Sequence, residues 1–199
     1  AMQLVRHRAE WMQECAERAP GGMVAVIGKT EEEILGLMES VSNRNILECV
    51  NFNAPGQIVV AGDEASLSAF LAECKAARVR AVKLPVSGPF HSAAMREASE
   101  RIGKYIRELI IKEPSTTLYS NVTGLPYESG QLEDLLARQT MSPVRFMQGI
   151  LHMAENGVDT FVELGVGSTL IGFVKRMVPN ATMLSVDSLE ALEQAAQNI

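Results

Sequence analysis

The chain has 199 residues, 47% of them hydrophobic and 21% charged, with a formal net charge of -6. That is enough apolar material for one large domain or two small ones, and it excludes a disordered chain. Three cysteines, Cys15, Cys49 and Cys74, do not make a disulfide framework. With no Lys/Arg-rich run, a nucleic-acid face is not expected. No apolar run approaches the roughly 20 residues that span a bilayer, and the charged, amphipathic opening does not read as a signal peptide. The expectation is a mildly acidic, soluble, cytoplasmic α/β protein.

The first segment, AMQLVRHRAEWMQECAERA, has helical spacing at Met2, Leu4, Val5, Met12 and Cys15, and stops at Pro20-Gly21-Gly22. No capping residue precedes it, so the chain reads as entered inside or just before a helix. Met23–Ile27 is a short apolar run bounded by glycines, the pattern of a buried strand. Thr30-Glu31-Glu32-Glu33 is a capping box that opens a helix through Ile34, Leu37, Met38 and Val41. Ile46–Asn53 and Gln57–Ala61 read as strands joined by the Ala54-Pro55-Gly56 turn. Asp63 can cap a helix carrying Leu67, Phe70, Leu71 and Cys74, and Val79–Leu84 alternates as a last strand. The order strand, helix, strand, hairpin, strand, helix, strand predicts a ferredoxin-like βαββαβ unit.

Pro85 to Ser92 is a loop dense in turn formers. A long helix through Met95, Ile102, Tyr105 and Leu109 follows, ending before Pro114. Thr116–Ser120 is β-like, Leu132–Gln139 is helical, and Ser142-Pro143 starts a helix through Phe146, Ile150 and Met153. Thr160–Leu164 is a strand, Gly165-Val166-Gly167-Ser168 a turn into a helix, and Met183–Val186 a final strand before a closing helix from Leu189. Strands alternating with helices predict a mostly parallel sheet covered on both faces.

Chemistry-bearing side chains are few. The imidazoles are His7, His91 and His152. His7 and His152 lie in helical stretches and read as ordinary. His91 sits in a Gly/Pro-constrained loop just before a helix, where a catalytic group is often fixed. The competing reading is a loop histidine bonded to nearby backbone. No Cys/His pair has metal-ligand spacing, so no metal site is expected, and the cysteines read as packed thiols. Gly165-Val166-Gly167-Ser168 follows a strand and precedes a helix, so it either cradles a phosphate on backbone N–H groups or is simply a tight turn. No Gly-x-Ser-x-Gly elbow occurs, so a hydrolase or acyltransferase reading lacks its nucleophile.

Several stretches in order carry a resemblance: LVRHRAEWMQ (4–13), GGMVAVIG (21–28), NFNAPGQIVVAG (51–62), LPVSGPFHSAAM (84–95), NVTG (121–124), LARQTMSPVRF (136–146) and FVELGVGSTLIGFVKR (161–176). Together they resemble the malonyl-CoA:acyl carrier protein transacylases of fatty acid synthesis and the acyltransferase domains of polyketide synthases. The resemblance implies an α/β-hydrolase-like large subdomain, here residues 1–20 and 86–199, with the ferredoxin-like small subdomain inserted at 21–85. It also implies that the large subdomain is incomplete. The family's serine elbow, Gly-His-Ser-x-Gly, and an oxyanion-hole glutamine have no counterpart in this chain, and the missing N-terminal segment is implied as a partner.

By the resemblance, Arg8 pairs with the malonyl carboxylate, since guanidinium presents two parallel N–H donors. His91 takes the serine proton and returns it. Gln139 orients that imidazole, largely through its backbone carbonyl. Phe90 crowds a 2-methyl branch and so selects malonyl over methylmalonyl. Asn51, Asn53 and Gln57 either line the acyl-CoA cleft or stabilise the hairpin. Arg145, Lys175 and Arg176 are candidates for docking an acidic carrier protein. Gly165-Val166-Gly167 stands where the family shows Gly-Pro-Gly, which implies a looser turn. The implied reaction moves malonyl from coenzyme A to a serine and on to the phosphopantetheine thiol of acyl carrier protein, with no resident cofactor or metal. The chain alone is then expected not to turn over. The alternatives are a polyketide acyltransferase domain or a non-catalytic fragment that binds carrier protein or coenzyme A.

Overall fold

The computed structural model describes residues 2–197. Its elements run α1 (Met2–Arg18), β1 (Gly21–Ile27), α2 (Glu31–Glu39), β2 (Leu47–Ala54), β3 (Gln57–Asp63), α3 (Glu64–Ala76), β4 (Arg80–Lys83) and α4 (Arg96–Ile106). They continue with α5 (Leu132–Arg138), α6 (Phe146–Glu155), β5 (Thr160–Leu164), α7 (Thr169–Met177), β6 (Thr182–Val186) and α8 (Leu189–Ala196). The chain is α/β.

Strands β1 to β4 form one antiparallel sheet in the order β2-β3-β1-β4. Its local signals work as the residues dictate. The Thr30 hydroxyl accepts from the Glu33 N–H at 3.2 Å, and the Glu33 carboxylate accepts from the Thr30 N–H at 2.8 Å, which satisfies two of the free donors at the start of α2. Asp63 accepts from the Ser66 N–H at 3.0 Å, opening α3, and from the Ile46 N–H at 2.8 Å. Because side chains alternate along a strand, the sheet has two distinct faces. Val24, Val26, Phe52, Ile58 and Val60 pack under α2 and α3 against Ile34, Met38 and Phe70. Met23, Ala25, Val50, Val59 and Ala61 form a separate cluster on which Leu84 and Phe90 rest. This second face looks toward the loop after β4.

Helices α1 and α4 are joined by Met12, Cys15, Ala16, Met95 and Ala98. Arg18 grips Glu97 with two bonds at 2.6 and 3.0 Å, and Arg101 pairs with Glu14. Farther along, β5 and β6 pair in parallel and pack with α6 and α7 through Phe161, Ile150 and Val174.

The second half departs from expectation in four places. Among the described residues the parallel sheet is only the β5–β6 pair, and the larger sheet is antiparallel. Thr116–Ser120 makes one isolated bridge, Tyr119 to Pro126, because a proline partner offers no N–H to extend a ladder. Helix α4 stops at Ile106, where Glu108 and Leu109 close tighter turns onto Tyr105 and Ile106. The helix expected from Ser142 begins at Phe146. Val144 is instead held extended against β2, donating to the Val50 carbonyl at 2.8 Å while its own carbonyl accepts from the Phe52 N–H at 2.9 Å.

Candidate active site

A cavity of about 520 Å³ opens where α1, the second face of the sheet and the loop after β4 meet. From α1 come Arg8, Met12 and Gln13; from the sheet come Met23, Asn51, Asn53 and Val59; from the loop come Val86, Phe90 and His91. The expected carboxylate-binding cation and the expected base therefore share one wall-to-wall space.

The loop that carries His91 is tied down by local hydrogen bonds. The buried Ser92 hydroxyl donates to the Pro89 carbonyl at 2.5 Å and accepts from the Ala94 N–H at 3.3 Å. His91 itself has a left-handed backbone, φ 62°, a conformation uncommon outside glycine that persists where the surroundings enforce it. Its N–H donates to the Thr140 carbonyl at 3.1 Å. Its Nδ1 lies 3.0 Å from the Gln139 carbonyl oxygen. A carbonyl only accepts, so this contact assigns the ring proton to Nδ1 and leaves a lone pair on Nε2. Burial pushes the His91 pKa down, and the positive charge of Arg8 adds to this. The Gln139 carbonyl and the Ser142 backbone oppose the shift without reversing it. The result is a neutral imidazole at neutral pH, oriented by a carbonyl and able to accept a proton.

Arg8 is half-buried on α1. Burial lowers its pKa from the usual arginine value, yet guanidinium stays protonated in proteins. Its Nε is buried and has no hydrogen-bond partner, and the same holds for Asn51 Oδ1. A buried donor and a buried acceptor left unpaired cost free energy until a ligand satisfies them. Both atoms belong to residues that line this cavity, so its wall contains a donor and an acceptor that no described residue satisfies.

The remaining expected residues divide. Asn53 and Phe90 line the cavity. Gln139 reaches His91 through its backbone carbonyl only, while its residue borders a neighbouring cavity beside Leu4, Ile102 and Leu136. Gln57 is not part of the main cavity's lining; its side-chain oxygen accepts from Arg176 at 2.6 Å. Arg176 also donates to the Pro55 carbonyl, and Arg145 stacks 5.6 Å over the Phe52 ring. Met12, Gln13, Val59 and Val86 also line the cavity. All four lie in stretches that carry the resemblance, but nothing singled them out as site residues, since apolar and uncharged groups of this kind are placed by packing.

The other candidates are occupied otherwise. His7 stacks on Trp11 with ring centres 5.1 Å apart, and His152 bonds the Tyr119 hydroxyl at 3.0 Å. Burial, followed by the charge of Glu31, pushes the Cys49 thiol up to about 12, so it is not a nucleophile at neutral pH. At the turn after β5 the Glu163 carboxylate accepts from the N–H groups of Leu170 and Ile171 at 3.2 and 2.9 Å. That carboxylate occupies two N–H donors in the first turn of α7, which favours the tight-turn reading over a phosphate cradle. No group of three or more His, Cys, Asp or Glu side chains suited to a metal occurs among the described residues. No helix among them is long and apolar enough to cross a membrane.

Comparison with known proteins agrees with this arrangement. The family model described as acyl transferase domain matches residues 1–194. The malonyl CoA-acyl carrier protein transacylase of Escherichia coli K12 is 33% identical over 199 residues, covering 99% of this chain and 64% of the relative. The crystal structure of malonyl CoA-acyl carrier protein transacylase from Clostridium perfringens superposes with a TM-score of 0.93 at 38% identity, over 98% of this chain and 62% of that one. A malonyl-transacylase solved in complex with a type II PKS acyl-carrier protein gives a TM-score of 0.93 at 32% identity, over 99% of this chain and 64% of that one. The chain thus spans a little under two thirds of the length of these relatives. With the family model matching almost end to end and the arginine and histidine facing one cavity, the chain belongs to the acyl transferase domain family.

Proposed function

We propose that this chain supplies the carboxylate-binding and proton-transferring part of a malonyl-CoA:acyl carrier protein transacylase in the cytoplasm. The observation that supports it most is the common cavity of Arg8 and His91, with the His91 proton held on Nδ1. In this reading residues 21–85 are a ferredoxin-like small subdomain, a reading supported by the β2-β3-β1-β4 order. Residues 1–20 and 86–199 belong to an α/β-hydrolase-like large subdomain completed by a segment that bears the serine.

The residues divide the work as follows. Arg8 offers a fork of N–H donors to the free carboxylate of the malonyl group. His91 Nε2 accepts the proton of the serine hydroxyl as its oxygen attacks the thioester carbonyl. It then gives that proton to the departing coenzyme A sulfur. In the second half it takes the proton of the carrier's phosphopantetheine thiol, whose sulfur attacks the serine ester, and returns it to the serine oxygen. Coenzyme A is carried by the substrate and phosphopantetheine by the partner, so no resident cofactor enters.

The 199 residues contain no Gly-x-Ser-x-Gly, so the chain alone binds malonyl-CoA but does not turn over. Isothermal titration of the pure chain with malonyl-CoA and acetyl-CoA tests the first half of this statement. Malonyl-CoA is expected to bind about tenfold tighter, and Arg8→Ala to erase the difference. Transfer of radiolabelled malonyl to acyl carrier protein tests the second half: none is expected from the pure chain, and transfer is expected once a separately produced segment bearing the serine elbow is mixed in. Equal binding of the two thioesters by the wild-type chain overturns the proposal. Binding without transfer after mixing favours the non-catalytic reading.

A further inference from the structure

Arg176 lies in the last turn of α7, yet both of its hydrogen-bonded partners are on the distant hairpin between β2 and β3. Its Nη1 donates to Gln57 Oε1 at 2.6 Å, and its Nη2 donates to the Pro55 carbonyl. The hairpin tip is held from another side by the Gly28 N–H, which donates to the Gly56 carbonyl at 2.7 Å. Strand β2 leads into this tip and is irregular, with register shifts between Cys49 and Asn51 and between Phe52 and Ala54. Such shifts interrupt the ladder and let a strand bend. The irregular stretch contains Asn51 and Asn53, which line the cavity. An external clasp at Pro55 therefore acts two residues from the cavity wall, on a strand whose own ladder is weakened there. The same strand is bonded through Val144 to the segment whose Ser142 backbone faces His91.

We infer that Arg176 is a positioning residue, which by clasping Gln57 and Pro55 holds strand β2 and the Asn51–Asn53 wall at the distance from His91 that the ligand requires. The planar guanidinium suits this task because it reaches two acceptors at once, whereas an ammonium supplies a point charge without the fork. The inference rests on the malonyl thioester reading only for the identity of the ligand.

The test is titration of the pure chain with malonyl-CoA and with malonyl-pantetheine, which lacks the nucleotide phosphates, alongside amide exchange at Ala54, Gly56 and Gln57. Arg176→Ala is expected to weaken both ligands about fivefold, the net scale of one ordinary hydrogen bond, because the clasp acts on the ligand only through the strand. It is also expected to accelerate hairpin exchange and to move Tm by less than about 2 °C. Arg176→Lys recovers only part of the affinity. Gln57→Ala weakens binding as well, and the double variant binds no worse than Arg176→Ala, because the two act as one unit. A loss confined to malonyl-CoA means direct phosphate contact and overturns the inference, as does unchanged affinity for both ligands. If the wild-type chain binds neither thioester, the malonyl reading fails, and the exchange data decide the clasp alone: unchanged exchange in Arg176→Ala overturns it.

Discussion

The His91 ring is steered by a residue 48 positions further along the chain, its Nδ1 lying 3.0 Å from the Gln139 carbonyl oxygen. A backbone carbonyl here orients the imidazole without adding a negative charge. The ring therefore keeps the low proton affinity that burial and Arg8 impose. A carboxylate in the same place would pull the pKa upward and compete for the proton.

This sets a pH dependence. His91 binds a proton less readily in the folded chain than its ordinary value of 6.5. Between the two values the unfolded chain is protonated and the folded chain is not, so stability rises with pH across that window. The contribution is complete above about 6.5 and is lost as pH falls toward the folded value. Urea unfolding at a series of pH values is expected to show this slope, and His91→Asn, which tolerates the left-handed backbone, to flatten it. In nitrogen-resolved NMR the wild-type ring should titrate below 6.5 with the proton on Nδ1, and Arg8→Ala should move its midpoint upward. A midpoint above 6.5 contradicts the geometry.

Gly88 sets how closely the His91 loop approaches α1. A Cβ there would stand 2.5 Å from the Ala16 Cβ and 3.2 Å from its Cα. Gly88→Ala must push the loop away from the helix, and with it Phe90 and His91. The expected cost is about 2 kcal/mol in chemical denaturation, the usual scale of overpacking. Thioester binding, read by titration, should weaken in parallel.

Phe90 bridges two apolar clusters, one with α1 and one on the sheet, while lining the cavity. Trimming it to alanine opens room in the cavity where the proposed function places the acyl group. Competition binding should show methylmalonyl-CoA gaining on malonyl-CoA by roughly tenfold, the scale on which a pocket discriminates one methyl group. An unchanged ratio would place the selectivity elsewhere.

A row of apolar side chains stands open near the β5–β6 pair: Leu164 is 74% exposed, Val166 99% and Leu189 72%. Exposed apolar groups gathered at a sheet of only two strands favour association. Light scattering of the isolated chain is expected to show concentration-dependent oligomers, and Leu164→Glu with Val166→Lys to shift them toward monomer.

Local order was written plainly in the sequence. The Thr30 capping box, the Asp63 cap, the Ala54-Pro55-Gly56 turn and the alternating strands depend on neighbours within a few residues, so short-range chemistry decides them. Arg8 and His91 were legible as candidates because their stretches match a family pattern, and His91 also because glycine and proline surround it. Tertiary structure alone decided what these residues became. Val144 left its expected helix because β2 offered backbone partners, a preference no local propensity encodes. Gln57 turned toward Arg176, 119 residues away. The depression of the His91 pKa comes from burial and from a cation on another helix. Hydrogen bonds, burial and Coulomb fields between segments distant in sequence exist only once the chain has folded, and they are what turned two recognisable side chains into one cavity.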